Sequence, residues 1–249
     1  MTRLTYQLAR MAARMIASIQ QPNETLRGTR VLMFHDLQKL TAFSDIYTMP
    51  ASSFKGGMSL LSEWMKRKQT EFVPFSSEPR PGVAVTFDDG YRSTLYIAAE
   101  ILISLQIPFH IFVTKSFVDS GGARYLSDSD LKRLVSMPGV TLGVHGVSHD
   151  RMPTLTESQL RTNLAEARNW LEQLTGTSIS TLSYPHGAYT TEVTSLVEAS
   201  GFTAAACSNA GTFTSEQQRM VIPRIDMWSR DTGRVWIDKT RGGWDHLLP

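Results

Sequence analysis

Residues 83–94 read VAVTFDDGYRST. The opening VAVTF suits a buried strand. Two adjacent carboxylates, Asp88 and Asp89, then arrive with Gly90 behind them. Like charges that close resist joint ionisation unless something compensates them. Either the pair frays into water as an Asp–Gly turn, or it holds something positive.

Working outward, strand-like and helix-like stretches alternate. Strands are expected at Thr29–His35, Gly82–Phe87, Pro108–Thr114, Val140–His145, Ser180–Tyr184 and Phe202–Cys207. Helices are expected at Phe54–Lys68, Ser93–Leu105, Ser127–Ser136, Thr156–Leu174 and Thr191–Ser200. Thr156 opens a capping box in TESQ, and Gly176 and Gly201 stand where helices end. Such alternation argues for a parallel sheet with helices outside it. The 249 residues favour a closed or nearly closed α/β barrel over an open doubly wound sheet. No GxGxxG follows the first strand, so a dinucleotide fold has little support.

Composition narrows the class further. Apolar content of 41% and charged content of 19% are those of a globular protein. The net charge is only +2, and no basic stripe marks a nucleic-acid binder. The positive charge gathers at the start, where Arg3, Arg10, Arg14, Arg27 and Arg30 face one acid, Glu24. There Leu4, Leu8, Met11, Met15 and Ile19 recur at helical spacing. The spacing predicts an amphipathic helix that packs on the body or a second subunit, or lies on an anionic membrane surface. It lacks the apolar run of a secretory signal, so a cytoplasmic location is the expectation, with the inner membrane surface as the alternative if the helix lies on lipid. The single cysteine, Cys207, excludes an internal disulfide and reads as a small core residue.

Polar residues recur where strands stop: His35 and Asp36 after VLMF, Asp88 and Asp89 after VAVTF, His145 after VTLGV, and Tyr184–His186 after STLS. In an α/β barrel those ends share one mouth. His145 and His149, in HGVSH, supply two imidazoles, and one carboxylate completes a three-ligand set for zinc or a similar ion. A metal on one aspartate would leave the other free as a general base. The competing readings are a chance HxxxH and a plain turn.

TFDDG at Thr86–Gly90, HGVSH at His145–His149 and SYPHG at Ser183–Gly187, in that order, resemble the motif set of polysaccharide deacetylases, the NodB homology domain of carbohydrate esterase family 4. The resemblance runs from about Val31 to Arg224. MFHD at Met33–Asp36 is similar to the branch of poly-N-acetylglucosamine deacetylases. It implies a distorted (β/α) barrel of about seven repeats, here with an extra N-terminal helix in residues 1–28 ahead of a catalytic domain in 29–249. It further implies Asp88 as base, Asp89, His145 and His149 as metal ligands, and the His186 backbone N–H as an oxyanion donor. Tyr184 and Pro185 would shape that loop, and His35 would protonate the leaving amine. The metal would be zinc, with nickel, cobalt or iron as alternatives. The implied substrate is an N-acetylated glycan or glycolipid.

The chain departs from the pattern in three places. Gly146 stands where a hydroxyl residue usually follows the first histidine. Ser183 stands where the wider family has an arginine paired with the base, and Arg224 in IPRID is the candidate replacement, against a surface arginine bridging to Asp226. The late leucine–x–histidine motif has only a loose match at His246, leaving His35 preferred. His110 is expected to be a packed or solvated strand residue. Tyr91, Tyr125, Trp228 and Trp236 are candidates for sugar stacking or for core packing. Rival functions are O-acetyl ester or cyclic-amide hydrolysis on the same scaffold, a non-catalytic carbohydrate-binding protein and, last, glycoside hydrolysis, for which adjacent carboxylates are badly spaced.

Overall fold

The computed structural model describes residues 26–39 and 45–247. Most of the amphipathic segment expected in 1–28 lies outside them. VAVTF forms the centre of a parallel sheet. The strands are β1 (Thr29–Phe34), β2 (Asp36–Gln38), β3 (Thr48–Pro50), β4 (Gly82–Phe87), β5 (Phe109–Val113), β6 (Val140–Val144), β7 (Thr181–Ser183), β8 (Ala204–Ala206) and β9 (Arg224–Asp226). Seven of them pair in the order β8-β7-β6-β5-β4-β1-β9, and β2 pairs with β3. A parallel bridge from Ile222 to Ala206 nearly closes the ring between β9 and β8. The fold is a (β/α) barrel.

Alternation along each strand divides two cores. Leu32, Phe34, Val85, Phe87 and Ile111 pack outward under the helices. Val31, Ala84, Phe112, Ala204, Ala206 and Ile222 form a separate inner cluster. The helices are α1 (Ala51–Arg67), α2 (Ala99–Ser104), α3 (Lys115–Asp119), α4 (Asp128–Val135), α5 (Glu157–Thr175), α6 (Thr191–Ala199) and α7 (Arg234–Thr240). Leu160, Leu164, Ala167 and Leu171 form the buried stripe of α5. Its Thr156–Gln159 capping box forms, and Gly176 ends it at φ 70.

Three expectations are corrected. The helix predicted over Ser93–Leu105 begins as a wide π-turn at Thr94–Ala98 before α2. The strand expected at Phe202–Cys207 shrinks to three residues, because Phe202 instead packs in the outer core beneath Arg168. The elements β2, β3, α3 and α7 were not foreseen; each has seven residues or fewer, too short for a period to show. No helix among the described residues is long and apolar enough to cross a membrane.

Candidate active site

Asp88 continues the inward face of β4, two residues beyond Thr86, and is buried. In an extended chain its neighbour would point the opposite way. Asp89 instead adopts φ 73 and Gly90 φ 80, turning the chain at the mouth. A Cβ on Gly90 would also press on Val113 Cγ1 at 3.1 Å. That turn brings both carboxylates into one cleft of about 490 Å³, lined also by His35, Asp36, Tyr47, Tyr91, His145, His149, His186, Asp226 and Trp228.

The two carboxylates have different partners. Arg224 donates from Nη1 to Asp88 Oδ1 and from Nη2 to Oδ2, both at 2.7 Å. Ser183 Oγ donates to Asp88 Oδ2 at 3.1 Å and accepts from Arg224 Nη2 at 2.7 Å. Arg224 is buried, and its fork is completed by the Cys207 carbonyl and Thr86 Oγ1. It is therefore no surface arginine. Burial alone would raise the Asp88 carboxyl, but Arg224 and then His145 hold it well below the usual carboxylate range.

Asp89 Oδ1 faces His149 Nε2 at 3.3 Å and His145 Nε2 at 3.5 Å. It is buried and accepts no well-formed hydrogen bond. His145 Nδ1 lies 2.8 Å from the Ser183 carbonyl oxygen, which can only accept. The ring proton therefore sits on Nδ1 and the Nε2 lone pair faces the carboxylates. Burial lowers the His145 imidazolium. Burial also lowers that of His149, but Asp89 beside it outweighs this and raises it. The three ligand atoms lie within 4.8 Å of one another. Ligands about 2.0–2.1 Å from a tetrahedral zinc stand roughly 3.3 Å apart, so the donor set fits such an ion.

Three of the five described non-glycine residues at positive φ are here: Asp89, His149 at φ 60 and His186 at φ 58. Backbone held in that region costs about 1–3 kcal/mol per residue and clusters at functional sites. Pro185 and Tyr184 are buried behind His186, and Tyr184 Oη donates to the Met220 carbonyl at 2.9 Å. The imidazole of His186 packs edge-on against His149, 4.5 Å between centroids. Gly187 must be glycine: its φ is 64, and a Cβ would meet Ser208 Oγ at 2.5 Å.

His35 lines the cleft and packs on the Tyr47 ring at 4.8 Å. Asp226 lies on the same wall; burial raises its carboxyl and His35 opposes that. His246 is exposed and does not line the cleft, and its neighbour Asp245 is tied to Arg30 near the start of β1. Tyr91 is in the cleft, stacked on Tyr125 at 5.1 Å, and Trp228 is on the wall. Trp236 is core, its Nε1 donating to the Asp231 carbonyl at 3.0 Å. Cys207 and His110 are buried, so the solvated alternative for His110 falls.

Sequence reasoning missed Tyr47, Asp226, Asn163 and Lys239. Lys239 is wholly buried, donates to the Asp226 carbonyl and to Asp231 Oδ2, both at 2.6 Å, and lies 4.0 Å over the Trp228 ring. No pattern marks a buried lysine; only Asp226, in IPRID beside Arg224, was in view.

The family model for "Polysaccharide deacetylase" matches residues 76–205, across all three motifs. The chain belongs to the polysaccharide deacetylase family. Members of this family are metal-dependent deacetylase hydrolases. YxkH of Bacillus subtilis (strain 168), a relative of the same family, is 20% identical over 78% of this chain and 70% of its own. In fold, this polysaccharide deacetylase is similar to the Streptococcus pyogenes deacetylase PplD, solved in complex with acetate. That likeness has TM-score 0.75 and 16% identity, over 86% of this chain and 98% of PplD. It is also similar to IcaB from Ammonifex degensii, with TM-score 0.68 and 21% identity, over 87% and 97% of the two chains.

Proposed function

We propose that this polysaccharide deacetylase is a metal-dependent enzyme removing N-acetyl groups from an amino sugar of a polysaccharide or glycolipid. The observation that carries the reading is the split at the mouth of β4: Asp88 is held by Arg224 and Ser183, while Asp89 faces two imidazoles. One carboxylate is held for proton transfer and the other for a cation.

Asp89, His145 and His149 would hold the metal, zinc in first place, with nickel, cobalt or iron as alternatives. Bound there, the ion would supply Lewis acidity toward a carbonyl oxygen and acidify water. Asp88 takes the proton from the attacking water. Arg224 fixes both carboxylate oxygens so that Asp88 stays ionised and aimed. The His186 backbone N–H, on a loop shaped by Tyr184 and Pro185, donates to the carbonyl oxygen as negative charge develops on it. His35, on the opposite wall beside Asp226, gives a proton to the leaving nitrogen. Carbon–nitrogen cleavage then releases acetate and an amine, with no acyl-enzyme.

The test is acetate release from N-acetylhexosamine oligomers and O-acetylated glycans, with ring opening of cyclic amides followed alongside. Activity on the N-acetyl substrates alone supports the proposal. Release from the esters alone, or cleavage of the cyclic amides alone, assigns the scaffold to that chemistry. No turnover of any substrate, with metal bound, favours a carbohydrate-binding role.

A further inference from the structure

The loop that joins β6 to His149 leaves one backbone N–H to a side chain of a distant helix. Its first residues are clamped by the end of β5 and the start of α3. His145 N–H donates to the Val113 carbonyl at 2.8 Å, Lys115 N–H to the Gly146 carbonyl at 3.2 Å, and Ser116 N–H to the Val147 carbonyl at 2.8 Å. Thr114 Oγ1 donates to the His145 carbonyl at 3.4 Å. Val147 N–H, midway between the two histidines, is met instead by Asn163 Oδ1 at 3.2 Å. Asn163 sits on α5 beside Leu160 and Leu164, both buried in the core, so its backbone is fixed independently of the loop.

The fit is tight. Gly146 turns at φ 78, and a Cβ built there would stand 3.2 Å from the same Asn163 Oδ1. The asparagine oxygen thus lies tight against the position a side chain at 146 would take. A loop whose next ligand, His149, holds a left-handed backbone has conformational energy to release. The Val147 anchor is what opposes that release from the α5 side.

We propose that Asn163 is a positioning residue for the metal loop, fixing His149 relative to His145 through the Val147 N–H. The inference rests on the metal reading of Asp89, His145 and His149. Metal-to-ligand distances in real sites hold to about 0.2 Å, so a loop freed at its midpoint loses affinity before it loses fold.

The test titrates Zn²⁺ into the full-length protein stripped with chelator, against a competing indicator. Co²⁺ absorption reports ligand geometry, and the melting temperature of the metal-free protein reports folding. Asn163→Ala weakens Zn²⁺ binding about 10–100-fold and changes the Co²⁺ spectrum, with little change in metal-free melting. Asn163→Asp, which keeps the accepting oxygen, returns affinity to within a few-fold of wild type. Gly146→Ala weakens binding in the same direction, through the strain of a side chain at φ 78 together with the 3.2 Å approach of its Cβ to Oδ1. If wild type binds Zn²⁺ and Asn163→Ala binds it equally well, the inference is overturned and the metal reading stands. Should Asn163→Ala fail to fold, Asn163→Gln displaces the same oxygen by one methylene, and wild-type affinity there overturns the inference. If wild type takes up neither ion, the metal reading fails and the inference falls with it.

Discussion

His110 and His145 are both buried imidazoles, one within β5 and the other just past the end of β6. His110 Nδ1 lies 2.7 Å from Thr141 Oγ1 and its Nε2 lies 3.0 Å from Thr181 Oγ1. Both ring nitrogens are therefore met by hydroxyls of the barrel itself. Gly143 makes the second contact possible, because a Cβ there would stand 2.7 Å from His110 Nε2. His145 has one nitrogen on a backbone carbonyl and the other turned to the Asp88–Asp89 pair. Burial is the same; the difference is whether the fold satisfies the second nitrogen or leaves it for a ligand. In the barrel floor the chain completes its own polar network, and at the mouth it stops one partner short.

That contrast breaks first at the mouth. Asp88→Asn should lower acetate release by about 10²–10⁴-fold while Zn²⁺ uptake, measured by equilibrium dialysis, persists. Turnover near wild type would remove Asp88 from proton transfer. Arg224→Met leaves a buried carboxylate without its cation. It should cost about 3–5 kcal/mol of stability at pH 7, read by denaturant unfolding. The Asp88 carboxyl is depressed in the folded state. Its contribution is therefore present above the unfolded value of about 3.9 and lost as pH falls through the folded one, so the deficit of the variant should shrink in acid.

At the floor, burial pushes the His110 imidazolium down to about 3. The unfolded chain binds that proton near pH 6.5 and the folded one does not. Stability is full above about 6.5 and falls by up to about 1.4 kcal/mol per unit as pH drops toward 3. His110→Gln should flatten that part of the stability–pH curve, measured by melting from pH 8 to 4, while activity at pH 7 changes only a few-fold. A steep loss of metal affinity in His110→Gln would erase the distinction between floor and mouth. The smallest effect belongs to His246→Ala, which should alter turnover less than about twofold, where His35→Ala abolishes most of it. The reverse result would move the acid from His35 to His246.

The barrel was readable because parallel strands buried on both faces leave continuous apolar runs such as VLMF and VAVTF. The residues ending those runs were readable for the same reason: charge has no business there without a partner. What the sequence left as one reading of two was the partnership across strands. Arg224 sits on a three-residue strand with no period to announce it, and only the register Val31↔Arg224 carries it beneath Asp88. Asn163 drew no reading, since helical spacing predicts which residues face inward but not which loop a polar neighbour will meet. Lys239 drew no reading, because a buried ammonium depends on Asp231, eight residues earlier, and on two tryptophan rings.

The seam between β8 and β9 gives the molecule a built-in fuse. Ile222 bridges Ala206 there, and Arg224 spans the same gap, with its N–H on the Asn209 carbonyl and its Nε on the Cys207 carbonyl. The guanidinium that grips Asp88 is thus also a stitch in the wall of the barrel. Any fluctuation that parts this seam slackens the hold on the carboxylate before the remaining strands come apart. Amide exchange at Cys207, Ile222 and Arg224 would then keep time with loss of turnover in mild denaturant, ahead of global unfolding.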